Sequence, residues 1–502
     1  MDSAASTSLP PCYRISARDD VAIALRDLAA GERVELDGGA IELADAVPRG
    51  HKFALRTVAA GEPICKYGQV IGRATAPIAR GAHVHTHNLA TLLAGVDEYR
   101  FAPRTASAAA TVPEQLSFMG YRRADGRVGT RNEIWILCTV GCVGRTAERI
   151  ARLAEERCKG RVDGVHAFPH QFGCSQLGGD LERTRKLIAA LALHPNAGGV
   201  LILGLGCESN QLEPLLQEIP QAQRAHIRTF AAQATRDEVE EGLRLVEELA
   251  QIASRVQREP CPIASLAVGL KCGGSDGLSG ITANPLVGRI ADRVTRAGGT
   301  AILTEIPEIF GAERLLMERA ADEQVFAGIA QLVNDFKRYF LENDQPVHEN
   351  PSPGNIAGGI TTLEEKSLGA VQKGGHATLT QVLRYGERIE RPGLALLEAP
   401  GNDGISSTAL VAAGATIVLF TTGRGTPLGF PAPTLKISSN SPLAQAKPHW
   451  IDFDAGRMLT GDPQALAEDF MRLIVDVASG HAARNELNEE REIAIWKDGV
   501  TL

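Results

Sequence analysis

Four of the nine cysteines in this 502-residue chain stand beside glycine in similar phrases. They are Val140-Gly141-Cys142, Phe172-Gly173-Cys174, Leu205-Gly206-Cys207 and Lys271-Cys272-Gly273. Soft thiolates suit iron, iron–sulfur centres or zinc. Any one such cysteine also fits a tight turn simply as a small apolar residue. The chain has no CxxC pair, HExxH or P-loop, so a metal site has to be assembled from distant segments. Histidines form a second group. In a strand, His83, His85 and His87 share one face, with neighbours about 6.6 Å apart and the outer pair about 13 Å apart. Adjacent members can share an ion, and His51, after a Pro-Arg-Gly turn, is the candidate third ligand beside His85. Solvent-facing or stacked histidines are the alternative reading.

These residues need a scaffold that brings distant loops together. From about residue 133 the apolar pattern predicts strands over 133–137, 163–168, 199–203 and 226–230, with helices over 146–157, 180–193 and 236–256. After Pro262 the alternation resumes, with strands over 265–270, 300–304, 394–397 and 416–420 and a last helix over 463–478. Asn284 is the expected N-cap of a helix opening with Pro285. Strands alternating with helices predict parallel sheets, in which ligands bind outside the carboxyl ends of the strands. The four cysteine phrases all follow such strands. So do His170, Ser275-Asp276, the Glu305–Glu308 stretch, Asn402-Asp403 and a Gly-rich loop carrying Arg424. A guanidinium can clamp a carboxylate with its two-pronged fork, while Glu305 and Asp403 also fit helix capping or a surface ion pair. A small polyhydroxylated anion is the ligand that suits this set.

The first hundred residues have another texture. Short β-rich pieces at 13–15, 33–36, 52–55 and 83–86, with one helix-like piece at 22–28, alternate with Gly and Pro. The phrases AAGERVEL, AAGEPICKYG and ARGAHVHTHN repeat a turn-then-strand unit. The expected organisation is a β-rich domain over 1–95, a linker over 96–116, and α/β domains over 117–260 and 261–502. With 52 Lys+Arg against 60 Asp+Glu and no basic block, no nucleic-acid surface is expected. The longest apolar runs are strand-sized and the first residues lack a signal peptide's pattern, so the expectation is a cytoplasmic protein with no membrane partner.

At these residues the chain resembles the altronate/galactarate dehydratase family of sugar-acid hydro-lyases. The likeness runs from about residue 13 to 502 through YGQVIGRA, HVHTHN, GRVGTRNEIWI, FGCSQLGGDLERTR, CGGSDGLSGITANP, PSPGNIAGGITTLEEKSLG and FTTGRGTP. It implies an N-terminal SAF domain (antifreeze-like, a β-clip) followed by two Rossmann-like α/β units. It further implies dehydration of D-altronate to 2-dehydro-3-deoxy-D-gluconate in hexuronate catabolism, with galactarate or another sugar acid as the alternative substrate. A non-catalytic sugar-acid-binding protein is the distant alternative. The HVHTHN and GCSQLG phrases favour altronate. Fe(II) is the metal implied, with Mn(II) as the alternative and an iron–sulfur cluster left open. Oligomeric state is left open, with an oligomer of identical chains as one reading. The chain departs from close relatives at Cys138, where they tend to have Pro, and at Ala370, where they tend to have Cys.

Dehydrating an aldonate requires a base for a weakly acidic proton, an acid for the leaving hydroxyl and a stabiliser for the dianion between them. His170 is the first candidate base, since imidazole titrates near neutral pH. Glu305 or Asp276 is the candidate acid, and Arg424 with Lys271 the carboxylate anchor. Ser275, Asn402 and Asp403 are candidate substrate contacts. Two metal placements compete: Cys142, Cys174 and Cys207 at the strand edge, or His51 and His85 in the β-rich domain.

Overall fold

A computed structural model describes residues 9–102 and 116–502. Most of the segment expected as a linker, 103–115, lies outside the described residues. The β-rich unit has a four-stranded antiparallel sheet in the order Cys12–Tyr13, Val21–Ala24, Lys52–Ala54, His83–Val84. Beside it lie a three-stranded sheet (Pro63–Lys66, Gln69–Ala74, Leu89–Ala90) and a hairpin, Arg33–Leu36 with Gly39–Glu42. The helix expected over 22–28 is instead the strand Val21–Ala24. All four of its residues are buried and it is paired on both edges, so tertiary pairing outweighs a local helical pattern. The three repeated phrases place Gly31, Gly61 and Gly81 at matching turns, with φ of +77°, +86° and +83°. At Gly81 a Cβ would lie 2.1 Å from the Glu42 carbonyl oxygen, so that turn admits only glycine.

The first α/β sheet contains β1 (Glu133–Cys138), β2 (Val165–Phe168), β3 (Ala197–Gly204) and β4 (Ile227–Ala231), all parallel in the order β2-β1-β3-β4. Every residue of β1 and β3 is buried, as befits strands covered on both faces. Helices α1 (Gly144–Cys158), α2 (Gly178–Ala192) and α3 (Glu238–Ala253) flank it. The second sheet has seven parallel strands: β5 (Ala267–Cys272), β6 (Thr300–Leu303), β7 (Leu379–Leu383), β8 (Gly393–Leu397), β9 (Ile417–Thr422), β10 (Thr434–Ser438) and β11 (Phe453–Asp454). Their order is β7-β8-β6-β5-β9-β10-β11. Helices α4 (Ala283–Arg296), α5 (Glu323–Glu342), α6 (Leu363–Ala370), α7 (Asp403–Ala412) and α8 (Pro463–Ala478) accompany it. The residue preceding α4 is Thr282, not the expected Asn284. The Asn284 side chain instead donates to the Gly369 carbonyl and accepts from Thr421, tying α4 to α6 and β9. In each sheet the chain leaves its first strand on one side and returns on the other, which opens a crevice at the carboxyl ends of β1 and β5.

The β-rich unit docks on the second sheet through buried charge. Lys52 and Lys66 donate to the two oxygens of Glu365 on α6, at 2.8 and 2.6 Å, and all three side chains are at most 1% exposed. Lys52 also donates to Thr361 Oγ1 and the Gly359 carbonyl. Beyond this unit, Asp97 pairs with buried Lys337 of α5 at 2.5 Å. Burial alone would raise the Glu365 carboxyl, but the two ammonium groups outweigh it and hold the pKa at about 2. Burial pulls Lys52 down to about 8 despite its carboxylate. A carboxylate depressed in this way stabilises the fold above the ordinary carboxylate range, and that contribution, about 3 kcal/mol, is lost as pH falls from roughly 4 towards 2. Glu365→Gln leaves two buried ammonium groups without a counter-charge. It is expected to cost about 3–5 kcal/mol, read as a lower denaturant midpoint at pH 7, with the difference from wild type shrinking at pH 3.

Candidate active site

The histidines meet where the β-rich unit touches the second sheet. His51, His83 and His85 each offer one nitrogen, all within 4.8 Å of one another. His51 Nδ1 lies 3.1 Å from His83 Nε2. His51 Nε2 lies 3.3 Å from the Ala357 carbonyl, which can only accept, so that nitrogen carries the proton and Nδ1 keeps its lone pair. Two nitrogens about 2.1 Å from one ion lie roughly 3 Å apart, and a carbonyl on the outer nitrogen is the usual second support of a ligating histidine. Burial, then neighbouring His and Lys52 charges, lower His83 and His85 to about 4, so both are neutral imidazoles at pH 7. The strand ends at Val84 and turns, so His87 comes back to 5.5 Å from the His83 ring, less than half the expected outer separation. His83, expected only as a strand neighbour, completes the trio with His51 and His85.

Beside the trio lies the crevice of the second sheet. The Gly50 carbonyl presses so closely on Gly277 and Gly359 that a Cβ at either glycine would approach it to 1.9 and 2.3 Å. The short helix Pro353–Ala357 links both sides: Arg424 donates to its Gly354 carbonyl at 2.9 Å, and His51 to its Ala357 carbonyl. Under the crevice sits a buried charge network. Lys271 pairs with Glu305 and, at 2.8 Å, with Asp403. Lys373 donates to Glu305 at 3.0 Å and to Cys272 Sγ at 2.8 Å. Lys366 reaches Glu308 at 2.9 Å. Three ammonium groups thus face three carboxylates, and Asp403 alone reaches solvent, 37% exposed against 0–7% for the rest. Burial pushes the Cys272 thiol up to about 12, so it sits in the network as a neutral donor to Glu308. Cys272, Glu305 and Glu308 are close enough to hold an ion. Three lysines already match this charge, and an ion would have to displace them, so the donor set fits a metal poorly. Glu305 holds its place with left-handed backbone (φ +68°), strain of about 1–3 kcal/mol that marks a position determined by its surroundings.

Several expected roles do not survive this geometry. His170 belongs to the first sheet, where Nε2 donates to the Cys138 carbonyl and Nδ1 accepts from Phe172 N–H. With both nitrogens engaged and burial lowering its pKa, it is a loop staple rather than a base. Asp276 accepts from Leu278, Ser279, Ser439 and Asn440, so its oxygens are spent on organising its loop. Glu305 is sealed under the crevice. Asn402 caps α7 through Ile405 N–H, and Ser275 is buried with its carbonyl receiving Asn355. Lys271 is likewise fully buried and reaches the crevice only through Asp403. Ala370 closes α6 within the core. Cys142, Cys174 and Cys207 are exposed at the other sheet's edge, unlike buried Cys272. Glu308 was in view in the Thr304–Glu308 strand end, though without a role; sequence reasoning missed Lys366 and Lys373, which lie on or after a helix and carried no strand-end signal. A cleft of about 870 Å³ runs along α4 beside Arg289 and His376, away from all of these groups.

Three family models define the class as dehydratases of sugar acids. The altronate/galactarate dehydratase SAF domain matches residues 11–92. The second domain of D-galactarate dehydratase/altronate hydrolase matches 120–254, and the D-galactarate/altronate dehydratase C-terminal model matches 263–501. The altronate dehydratase of Escherichia coli (strain K12) is 50% identical over 493 residues, 97% of this chain and 99% of that protein. That of Bacillus subtilis (strain 168) is 48% identical over the same shares. The galactarate dehydratase (L-threo-forming) of Escherichia coli (strain K12) is 35% identical over 92% of this chain and 91% of its own length. The chain belongs to the altronate/galactarate dehydratase family.

Two measurements follow from the geometry. Titration of the folded chain with Mn(II) or Fe(II), read by calorimetry, is expected to lose at least tenfold in affinity in His83→Ala and to be unchanged in Cys272→Ser. Equal loss in both would move the ion to the buried network. His170→Ala is expected to lower the denaturant midpoint by about 1–3 kcal/mol, since it orphans the Phe172 amide, while kcat per folded molecule stays within a few fold. A collapse of kcat in a fully folded sample would restore it as a catalytic residue.

Proposed function

We propose that this chain is a hydro-lyase that dehydrates D-altronate to 2-dehydro-3-deoxy-D-gluconate, taking a proton from C2 and a hydroxyl from C3. Half identity to two altronate dehydratases over almost their whole length supports the substrate. The observation that carries the site is the short helix Pro353–Ala357, whose two ends meet Arg424 and His51. A sugar acid lying across that helix has its carboxylate at the guanidinium and its hydroxyls towards the imidazoles. Arg424, exposed and oriented by the Gly354 carbonyl, would clamp the carboxylate. Asp403 is the reading's base, because it alone carries the buried network to the surface. The Lys271 ammonium beside it would offset charge gathering on the substrate as the C2 proton leaves.

The family resemblance makes Fe(II) the ion, with Mn(II) as the alternative; held by His51, His83 and His85, it would supply a Lewis acid for departure of the hydroxyl. The imidazole trio suits such an ion, being neutral and close-set. Among the described residues no helix is long and apolar enough to cross a membrane, and we place the enzyme in the cytoplasm acting on a free small molecule.

The test is an anaerobic assay with Fe(II) and a thiol, comparing D-altronate, galactarate and D-mannonate by formation of 2-keto acid. Selective turnover of altronate is expected. Turnover of galactarate instead would reassign the substrate within the family, and no turnover of any acid by a folded, metal-loaded sample would overturn the enzyme reading in favour of a binding protein. Asp403→Asn is expected to lower kcat about 10²–10⁴-fold with KM little changed. Retained kcat would remove Asp403 as the base.

A further inference from the structure

We propose that Cys142, Cys174 and Cys207 are the thiolate ligands of an iron–sulfur cluster held at the carboxyl edge of the first sheet, separate from the histidine trio. Of the nine cysteines these three alone are exposed; five are buried and Cys65 is half-buried. They stand on the loops that follow β1, β3 and, between them in the chain, β2, and those loops are tied into one knot. Gly141 N–H donates to the Phe172 carbonyl, and Asn210 N–H to the Gly173 carbonyl, each at 2.9 Å. The Asn210 side chain donates to the Thr139 carbonyl at 3.2 Å. His170 ties the second loop to the end of β1 through Nε2, which donates to the Cys138 carbonyl, while Nδ1 accepts from Phe172 N–H within its own loop. Glu208 staples the third to the first, accepting from Thr139 and from the Leu205 and Gly206 amides.

Glycine beside Cys142 and Cys174 is what lets their loops close. At Gly173 (φ +100°) a Cβ would lie 2.0 Å from the Thr139 carbonyl oxygen, and at Gly141 it would lie 2.8 Å from that of His170. The three thiols are otherwise lightly engaged: Gln233 Nε2 donates to Cys207 Sγ at 3.6 Å, and Cys174 Sγ lies 3.8 Å from Ser175 Oγ.

Two further observations point to a ligand. Gln176 Nε2 and Asn210 Oδ1, on the same loops and in side chains 2% and 0% exposed, have no hydrogen-bond partner in the protein. Buried polar atoms are nearly always satisfied, so each calls for a group the protein does not supply. An amide N–H suits a bridging sulfide, and an amide oxygen suits a water or hydroxide on an open iron. As placed, the three thiols do not converge on a single ion. Sulfurs about 2.3 Å from one metal lie roughly 3.8 Å apart, whereas these three are not among the groups whose ligand atoms all fall within 4.8 Å. A cluster spreads its ligands wider, and three cysteines leave one iron open to an outside oxygen ligand. The 15-residue helix α1 begins two residues after Cys142, so its positive end favours an anionic centre there.

The experiment is anaerobic reconstitution of the full chain with ferrous iron, sulfide and a thiol. A sulfide-dependent absorption band at about 400 nm is expected, with acid-labile sulfide rising alongside iron. Cys142→Ser, Cys174→Ser and Cys207→Ser should each lose the band, while Cys65→Ser and His83→Ala keep it. In the unmutated chain, reconstitution should protect those three thiols from alkylation, mapped by peptide mass. No band in a folded wild-type sample, a band lost in His83→Ala, or unprotected thiols would each overturn the proposal. Turnover is not the readout, so the result is independent of the dehydratase reading.

Discussion

Two lysines from the β-rich unit converge on one carboxylate of the α/β unit, with water excluded from all three. Lys52 stands next to His51 in the chain, so the residue that locks the units together also fixes where the imidazole trio begins. Taking three charges out of water is unfavourable unless every one is matched, and Glu365 matches both lysines while the Thr361 hydroxyl and the Gly359 carbonyl share Lys52. The strict geometry this demands is what a two-sided site needs. A hydrophobic contact of the same area would tolerate a shift of the β-rich unit that would carry His51 away from Ala357.

The same reasoning applies beneath the crevice. The network of Lys271, Lys373, Lys366, Glu305, Glu308 and Asp403 is balanced, three charges against three, and it is anchored at the ends of β5 and β6. Removing any inner member would leave a buried charge unpaired, so the network resists rearrangement. Its effect is to present a single carboxylate, Asp403, at a defined height above the sheet with a lysine at its back. The left-handed backbone at Glu305 is the local strain that lets one side chain face two lysines at once.

Much of the architecture was legible in the chain. Strand-sized apolar runs separated by amphipathic helices marked both parallel sheets, and the glycine phrases marked their carboxyl edges. The helix misread at 22–28 shows the limit, since Val21–Ala24 is a strand only because two neighbours pair with it. Residue type and position found the imidazoles, yet not their geometry. Alternation along a strand placed His87 far from His83, and the turn after Val84, stabilised by Asn88 bonding to the His83 and His85 backbone, was not marked by any period. His170 and Asp276 were attractive because a histidine or carboxylate after a parallel strand so often faces a ligand. Whether its lone pairs and protons are already engaged by neighbouring backbone is a three-dimensional fact. Lys366 and Lys373 were invisible for the converse reason: a lysine on an amphipathic helix ordinarily reads as solvated surface.

The two sheets share one topological device and put it to opposite electrostatic use. In both, the first strand is flanked by the second on one side and by a later strand on the other, so loops diverge and leave room at the carboxyl edge. At the second sheet that room is filled from below by paired charges, and even its cysteine is drawn inward, where burial keeps the thiol protonated and Lys373 occupies the sulfur. At the first sheet no lysine approaches by ion pair or hydrogen bond among the contacts of Cys142, Cys174 and Cys207. The acids there are turned to backbone amides, and the thiols are left outward. A carboxylate edge surrounded by ammonium groups handles protons, whereas a thiol edge free of them handles soft metal. That division follows from which side chains the loops bury, and it explains how four cysteines in matching phrases come to have two unlike environments.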